Sequence, residues 1–160
     1  LRIARDGEAI ALAALELRPY TVPHDAAEPL QLTLEDGVTR LGILTDAGSI
    51  TDHLLQALDH CNALLLECNH EPQLLAASRY PASLKARIGG RLGHLANASA
   101  AEILRRVLHP GLRHVVAAHL SEQNNRPELA SRALASVLGT APEDIIVATA
   151  MQGFDWLDLR

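Results

Sequence analysis

Ala63-Leu64-Leu65-Leu66-Glu67-Cys68-Asn69-His70 is the stretch from which the fold reads. Four apolar residues without polar alternation suit a strand buried on both faces, as in a parallel sheet, and the run closes abruptly on a carboxylate, a thiol, an amide and an imidazole. A second stretch has the same form: His114 to Ala118 is apolar after its first residue and closes on His119. The residues between them read as helices: Pro72 to Ala77, Ser83 to Ile88 stopped by Gly89-Gly90, and Ala100 to Leu108, with Asn97 or Ser99 as the cap and Pro110-Gly111 as the break. Downstream, the polar Ser121 to Asn125 leads into a helix from Pro127 to Leu138, and Ile145 to Thr149 is a last strand.

Upstream, Ala9 to Val22 reads as two short strands broken near Ala13, and Pro23 ends the ladder, so His24 sits just past a strand end. Pro29 to Leu34 and Thr39 to Leu44, joined by Glu35-Asp36-Gly37-Val38, form a hairpin with Asp46 directly after it. Ser49, with Asp52 three residues on, caps a helix whose apolar stripe is Ile50, Leu54, Leu55 and Leu58. This alternation predicts an α/β layered domain over residues 1–160, with parallel pairing in its second part. Ligands of such sheets gather beyond the carboxyl ends of strands. His24, Asp46, the Glu67 to His70 segment and His119 all occupy that position.

Of the 160 residues, 48% are apolar and 21% charged, which is a globular composition. The longest apolar runs fall far short of the about 20 residues of a membrane helix. No signal peptide precedes the charged turn Asp6-Gly7-Glu8, and a chain beginning at Leu1 without methionine is expected to have a cut start. Cys61 and Cys68 bracket the strand at Ala63 to Leu66, roughly 20 Å apart, beyond disulfide reach, and are expected to be buried, reduced thiols of a cytoplasmic protein. A net charge of −5 and 2% aromatic residues argue against a broad nucleic-acid face or a stacking platform, while leaving room for a local basic groove.

Eight histidines stand against those few aromatics. A hydrolytic metal site needs neutral imidazoles, a carboxylate able to bridge, and an open position for water, and His24, Asp46 and His119 supply such a set from three strand ends. Each alone is ordinarily a loop or turn residue; the three together favour the metal reading. Glu67 and His70 at one strand end, and His94 after Gly89-Gly90-Arg91-Leu92-Gly93, form a second group. Glu67 reads equally well as a carboxylate bonded to backbone N–H groups. His94 lies in Gly-rich surroundings near Lys85, Arg87 and Arg91, whose ordinary reading is a solvated helix face. Ser121, Glu122, Asn124 and Asn125 could bond His119 and fix its tautomer, or simply form a capping loop. His53, His60, His109 and His114 carry no assigned role.

Val22-Pro23-His24-Asp25-Ala26-Ala27-Glu28-Pro29, Leu44-Thr45-Asp46-Ala47-Gly48, Leu66-Glu67-Cys68-Asn69-His70, Gly93-His94-Leu95 and Ala118-His119-Leu120-Ser121-Glu122-Gln123-Asn124-Asn125 together resemble the YycJ group of metallo-β-lactamase-fold proteins. The resemblance runs along essentially the whole chain and implies an αββα sandwich, mainly its C-terminal half. It implies that His24 binds one metal, that Asp46 bridges and that His119 binds the other. It implies divalent ions, zinc first and manganese or iron as alternatives, two in the complete site. Catalytic roles fall on Asp46, His94 and Glu67, and substrate contacts on His94, His70 and Arg91. The implied activity is phosphodiester cleavage of DNA or RNA by a metal-bound hydroxide, exonuclease-like. Hydrolysis of a small ester, thioester or lactone is one alternative, and an inactive fragment serving as an interaction module is another. The His-x-His-x-Asp-His motif of such proteins does not occur in these 160 residues. The chain alone is therefore expected to bind metal poorly, to expose an apolar sheet face, and to associate with itself or with an N-terminal half.

Overall fold

The computed structural model describes residues 3–159. Seven strands form one sheet in sequence order: β1 (Ile10–Leu12), β2 (Leu15–Thr21), β3 (Leu30–Glu35), β4 (Arg40–Leu44), β5 (Ala63–Glu67), β6 (His114–Ala118) and β7 (Ile146–Val147). β1 to β4 pair antiparallel and β4 to β7 pair parallel. The switch follows from connection length. The β3–β4 turn is short enough for a hairpin, whereas each later strand returns through a helix. With two reversals between them, β2 and β4 run the same way, and β5 and β6 follow. The chain therefore leaves the sheet at the same edge after Thr21, Leu44, Glu67 and Ala118, and that edge carries the residues of interest.

Helices α1 (Asp52–Leu58), α4 (Asn97–Val107) and α5 (Pro127–Leu138) pack on one face of the sheet, while α2 (Pro72–Ala77) and α3 (Ala82–Ile88) lie between β5 and α4. Strand periodicity decides which residues meet them. Leu44, Leu64, Leu66 and Ala117 join Leu54, Leu58, Ile103, Leu104 and Leu134 in one buried cluster. At Gly42 a Cβ would stand 2.7 Å from Leu58 and 2.9 Å from Leu64, so the glycine lets α1 close on the sheet. Leu41, Ile43, Leu65 and Val116 line a groove of about 440 Å³ together with Phe154, Trp156, Leu157 and Leu159 of the final segment. The face expected from the sequence to be exposed is thus lined in part by the chain's own final segment, and Val116 on it is buried. No helix among the described residues is long and apolar enough to cross a membrane.

Three local readings are corrected. Thr51, not Ser49, caps α1: its hydroxyl accepts the Leu54 N–H at 3.1 Å, and Ile50 stays outside the helix. Neither Asn97 nor Ser99 caps α4, which starts three residues earlier than expected after Ala96, because the Asn97 side chain is engaged in a buried amide pair. The last strand is only Ile146–Val147, shortened because residues 148 to 153 turn back through a bridge between Thr149 and Gly153.

Both cysteines are free and buried. Burial pushes the Cys61 thiol up to about 11 and raises Cys68 further, where the Glu67 charge adds to it. Because the thiolate is the nucleophile, a disulfide reagent such as DTNB should label neither at neutral pH without denaturant and both after unfolding. Fast native labelling would contradict this packing.

Candidate metal centre

Glu67 is the last residue of β5 and is fully buried. Its Oε1 accepts from His94 Nδ1 at 2.7 Å and from His119 Nδ1 at 2.8 Å, and its Oε2 accepts the Ala47 N–H at 2.9 Å. Burial pushes this carboxyl up, but the three hydrogen bonds prevail and hold it below the usual glutamate range. His119 is pushed above the ordinary imidazole value by its hydrogen bond to Glu67, against desolvation. Both rings donate through Nδ1, which fixes the tautomer and leaves each Nε2 with a lone pair. His24 reaches the same state through a different acceptor, since its Nδ1 lies 3.0 Å from the Gly93 carbonyl.

The three imidazoles surround one oxygen. Asp46 Oδ1 stands 3.9 Å from His24 Nε2, 3.7 Å from His119 Nε2 and 3.8 Å from His94 Nδ1. Two sets among the described residues have ligand spacing, His24 with Asp46 and His94, and Glu67 with His94 and His119. His24 and His119 thus approach Asp46 from separate clusters that share His94. Since both Glu67 oxygens already accept N–H groups, this carboxylate is a weaker ligand than the half-exposed Asp46.

Backbone geometry places these groups. Asp46 and His119 each follow a strand end in the left-handed region, with φ of 53° and 57°. Asp and His are among the non-glycine residues that tolerate it, at a cost of order 1 kcal/mol each. The His24, Asp46 and His94 loops then meet backbone to backbone. The Gly48 N–H donates to the Pro23 carbonyl at 2.8 Å and the Asp25 N–H to the Leu92 carbonyl at 3.0 Å, while the His94 N–H folds its own loop back on the end of α3 by donating to the Ile88 carbonyl at 2.9 Å. A Cβ on Gly48 would lie 2.3 Å from the Gly93 nitrogen, and one on Gly93 2.2 Å from the Arg87 and Ile88 carbonyl oxygens. Behind them, the buried Asn97 and Asn125 side chains exchange two hydrogen bonds of 2.9 Å, and Asn125 also donates to the Cys68 carbonyl.

His24, Asp46, Glu67, His94 and His119 are therefore brought together, and other expectations are corrected. His70 does not present itself to substrate: it is 4% exposed, and desolvation lowers its pKa, so it stays neutral at pH 7. Glu67 bonds one backbone N–H and two imidazoles and is fully buried, which is the surrounding of a group that orients its neighbours. No side chain of Ser121, Glu122, Asn124 or Asn125 bonds the His119 ring. Asn69 instead donates to the His119 carbonyl at 3.1 Å. Lys85 is turned away, donating to the Ala76 carbonyl at 2.6 Å. Arg91 is exposed and meets the site only through its backbone against Gly48. Asp25 and Arg87 pair at 2.5 Å beside His24, a contact with no signal in the sequence, because 62 residues separate them and no local pattern joins them.

The sequence and the fold are both similar to those of known proteins. The chain is 34% identical over 132 residues to exodeoxyribonuclease YycJ of Bacillus anthracis, covering 82% of this chain and 50% of that protein. It is 30% identical over 135 residues to exodeoxyribonuclease WalJ of Streptococcus pneumoniae, with 84% and 50% covered. Among solved structures, the metallo-β-lactamase fold protein YhfI of Bacillus subtilis superposes with a TM-score of 0.68 at 16% identity, over 95% of this chain and 53% of that one. The chain has the metallo-β-lactamase fold. Zn²⁺-bound PqqB from Methylobacterium extorquens also superposes, with a TM-score of 0.62 at 19% identity, over 93% and 52%. No protein-family model matches. The chain spans about half the length of the curated relatives it matches, and it shows one sheet and one helical layer of the metallo-β-lactamase sandwich.

Two measurements check this geometry. Gly48→Ala should lower stability by about 2 kcal/mol in urea denaturation, because the new methyl meets backbone that has no rotamer to yield; an unchanged midpoint would mean the loops are not in contact. In the metal-free protein, Glu67→Gln should bring the His119 pKa down toward its ordinary value in an NMR titration. The signs also set the stability profile. The lowered Glu67 contributes above its unfolded pKa and is lost as pH falls through the folded value. The raised His119 contributes below its unfolded pKa and is lost as pH rises through the folded value. The metal-free protein should therefore lose stability on both sides of the interval between the two.

Proposed function

We propose that the chain is part of a hydrolase that uses two divalent cations, zinc before manganese or iron, to cleave phosphodiester bonds in DNA, with exonuclease-like action. The observation that carries this reading is Asp46 Oδ1, placed within 4 Å of His24 Nε2 and His119 Nε2 while the other nitrogen of each ring is already donating. This donor set suits a metal pair: His24 for one ion, His119 for the other, Asp46 between them. Bound cations would lower the pKa of water toward neutrality and offset charge on the phosphate. The choice of DNA draws on the names of the two exodeoxyribonuclease relatives.

The chain's own residues do the remaining work. Glu67 keeps His94 and His119 in one tautomer and balances charge on either ring. His94, with Nδ1 committed to Glu67, presents Nε2 to a phosphate oxygen and, as the imidazolium, can pass a proton to the departing alkoxide. The chain matches only about half the length of these relatives, so we infer that further ligands come from protein outside these 160 residues, packed on the apolar face at Leu41, Ile43, Leu65 and Val116. Two reduced thiols accord with a cytoplasmic setting.

Asp46→Ala in the whole protein should lower both bound metal and DNA hydrolysis by on the order of 100-fold, measured by elemental analysis and release of labelled nucleotide. A variant keeping both ions and its rate would remove Asp46 from the centre. The 160-residue chain alone should bind metal weakly and show no hydrolysis.

A further inference from the structure

Three carboxylates stand around the imidazole cluster: Asp25, Asp46 and Glu67. Among the described residues, Arg87 is the one permanent cation that contacts any of them. Asp25 divides its oxygens between two neighbours. Oδ2 accepts from Arg87 Nε, while Oδ1 lies 3.6 Å from His24 Nε2. A single carboxylate therefore spans the distance between the Arg87 guanidinium and the nitrogen assigned to metal.

The local chain fixes this arrangement. Arg87 lies in the last turn of α3, and the loop that follows is tied to Asp25 through the Leu92 carbonyl. The side chain is 66% exposed, and an ion pair so open to water adds little stability. Its consequence is directional. With Nε held by Asp25, the two terminal nitrogens have no partner among the described residues and form the fork that matches two phosphate oxygens. Holding the guanidinium beforehand reduces the freedom lost when an anion binds.

We propose that Arg87, oriented by Asp25, is an anion anchor that grips a backbone phosphate next to the bond being cleaved, making the substrate a polyanionic strand and not an uncharged ester or lactone. This rests on the hydrolase reading above. Lys85 and Arg91, the other cations of this segment, have no contact with the cluster's side chains.

The whole, metal-loaded protein should be treated with phenylglyoxal, with and without a phosphorothioate decamer of thymidine, and each arginine followed by mass spectrometry. The decamer should slow modification of Arg87 several-fold and leave Arg105, on α4 and paired with Glu102, unaffected. Arg87→Gln should raise KM for DNA about tenfold with kcat within twofold, and should make the dependence of log KM on log salt shallower by roughly 0.7. Arg87→Lys should recover part of the KM. Unprotected Arg87 together with an unchanged KM and salt slope would overturn the anchor. A loss of kcat and melting temperature at constant KM would make Arg87 merely structural and would overturn it too. If Arg87→Gln does not fold, protection alone decides. If Asp46→Ala retains hydrolysis, the hydrolase reading fails; if Asp46→Ala is inactive and Arg87→Gln behaves as the unaltered protein, only the anchor fails.

Discussion

A carboxylate with no exposure has to be matched by donors, and at Glu67 the donors are two imidazoles and one backbone amide. An unmatched charge there would cost several kcal/mol, which is why the surroundings cannot vary independently. The Ala47 amide ties the end of β4 to β5, and His119 ties in the end of β6. His94 ties in a loop from beyond α3. One acceptor thus joins the chain at separate places along the sheet edge and aims two rings toward Asp46.

The close backbone approaches around Gly48 and Gly93 are the counterpart of this charge arrangement. Three loops that carry His24, Asp46 and His94 are stacked so tightly that no side chain fits between them. The reciprocal Asn97–Asn125 pair and its bond to the Cys68 carbonyl hold the rear of the same edge without adding net charge. Rigid support of this kind is what a ligand set requires, since the rings must be aimed before any ion arrives. The left-handed backbone at His119 is accompanied by the hydrogen bond from its Nδ1 to Glu67.

Away from this edge, the two faces of the sheet differ. Helices seal one face into a continuous core. The other, among the described residues, is met by the final segment, which carries Trp156 fully exposed and Phe154 half exposed. The apolar side chains Leu41, Ile43, Leu65 and Val116 follow from strands that are apolar at successive positions, so that both faces are suited to burial.

Much of the fold was legible in the residues. Unbroken apolar runs closing on Glu67 and His119 located β5 and β6, and Pro127 marked the start of α5 because proline suits the first helical turn. The histidines and Asp46 could be placed at strand ends because strand direction and connection length are local properties. Tertiary structure alone decided the partners. Glu67 reads from sequence equally as a carboxylate for backbone amides or as a catalytic group, and it is a shared acceptor because the ends of β4 and β6 and the loop after α3 set Ala47, His119 and His94 around it. His70, one of the same polar quartet, went inward. Asp25 and Arg87 met only when α3 folded back over the loop after β2. Periodicity and capping act over a few residues and leave their mark in sequence, whereas the pairing of side chains 27, 52 or 62 residues apart depends on how loops stack, and loop stacking leaves none.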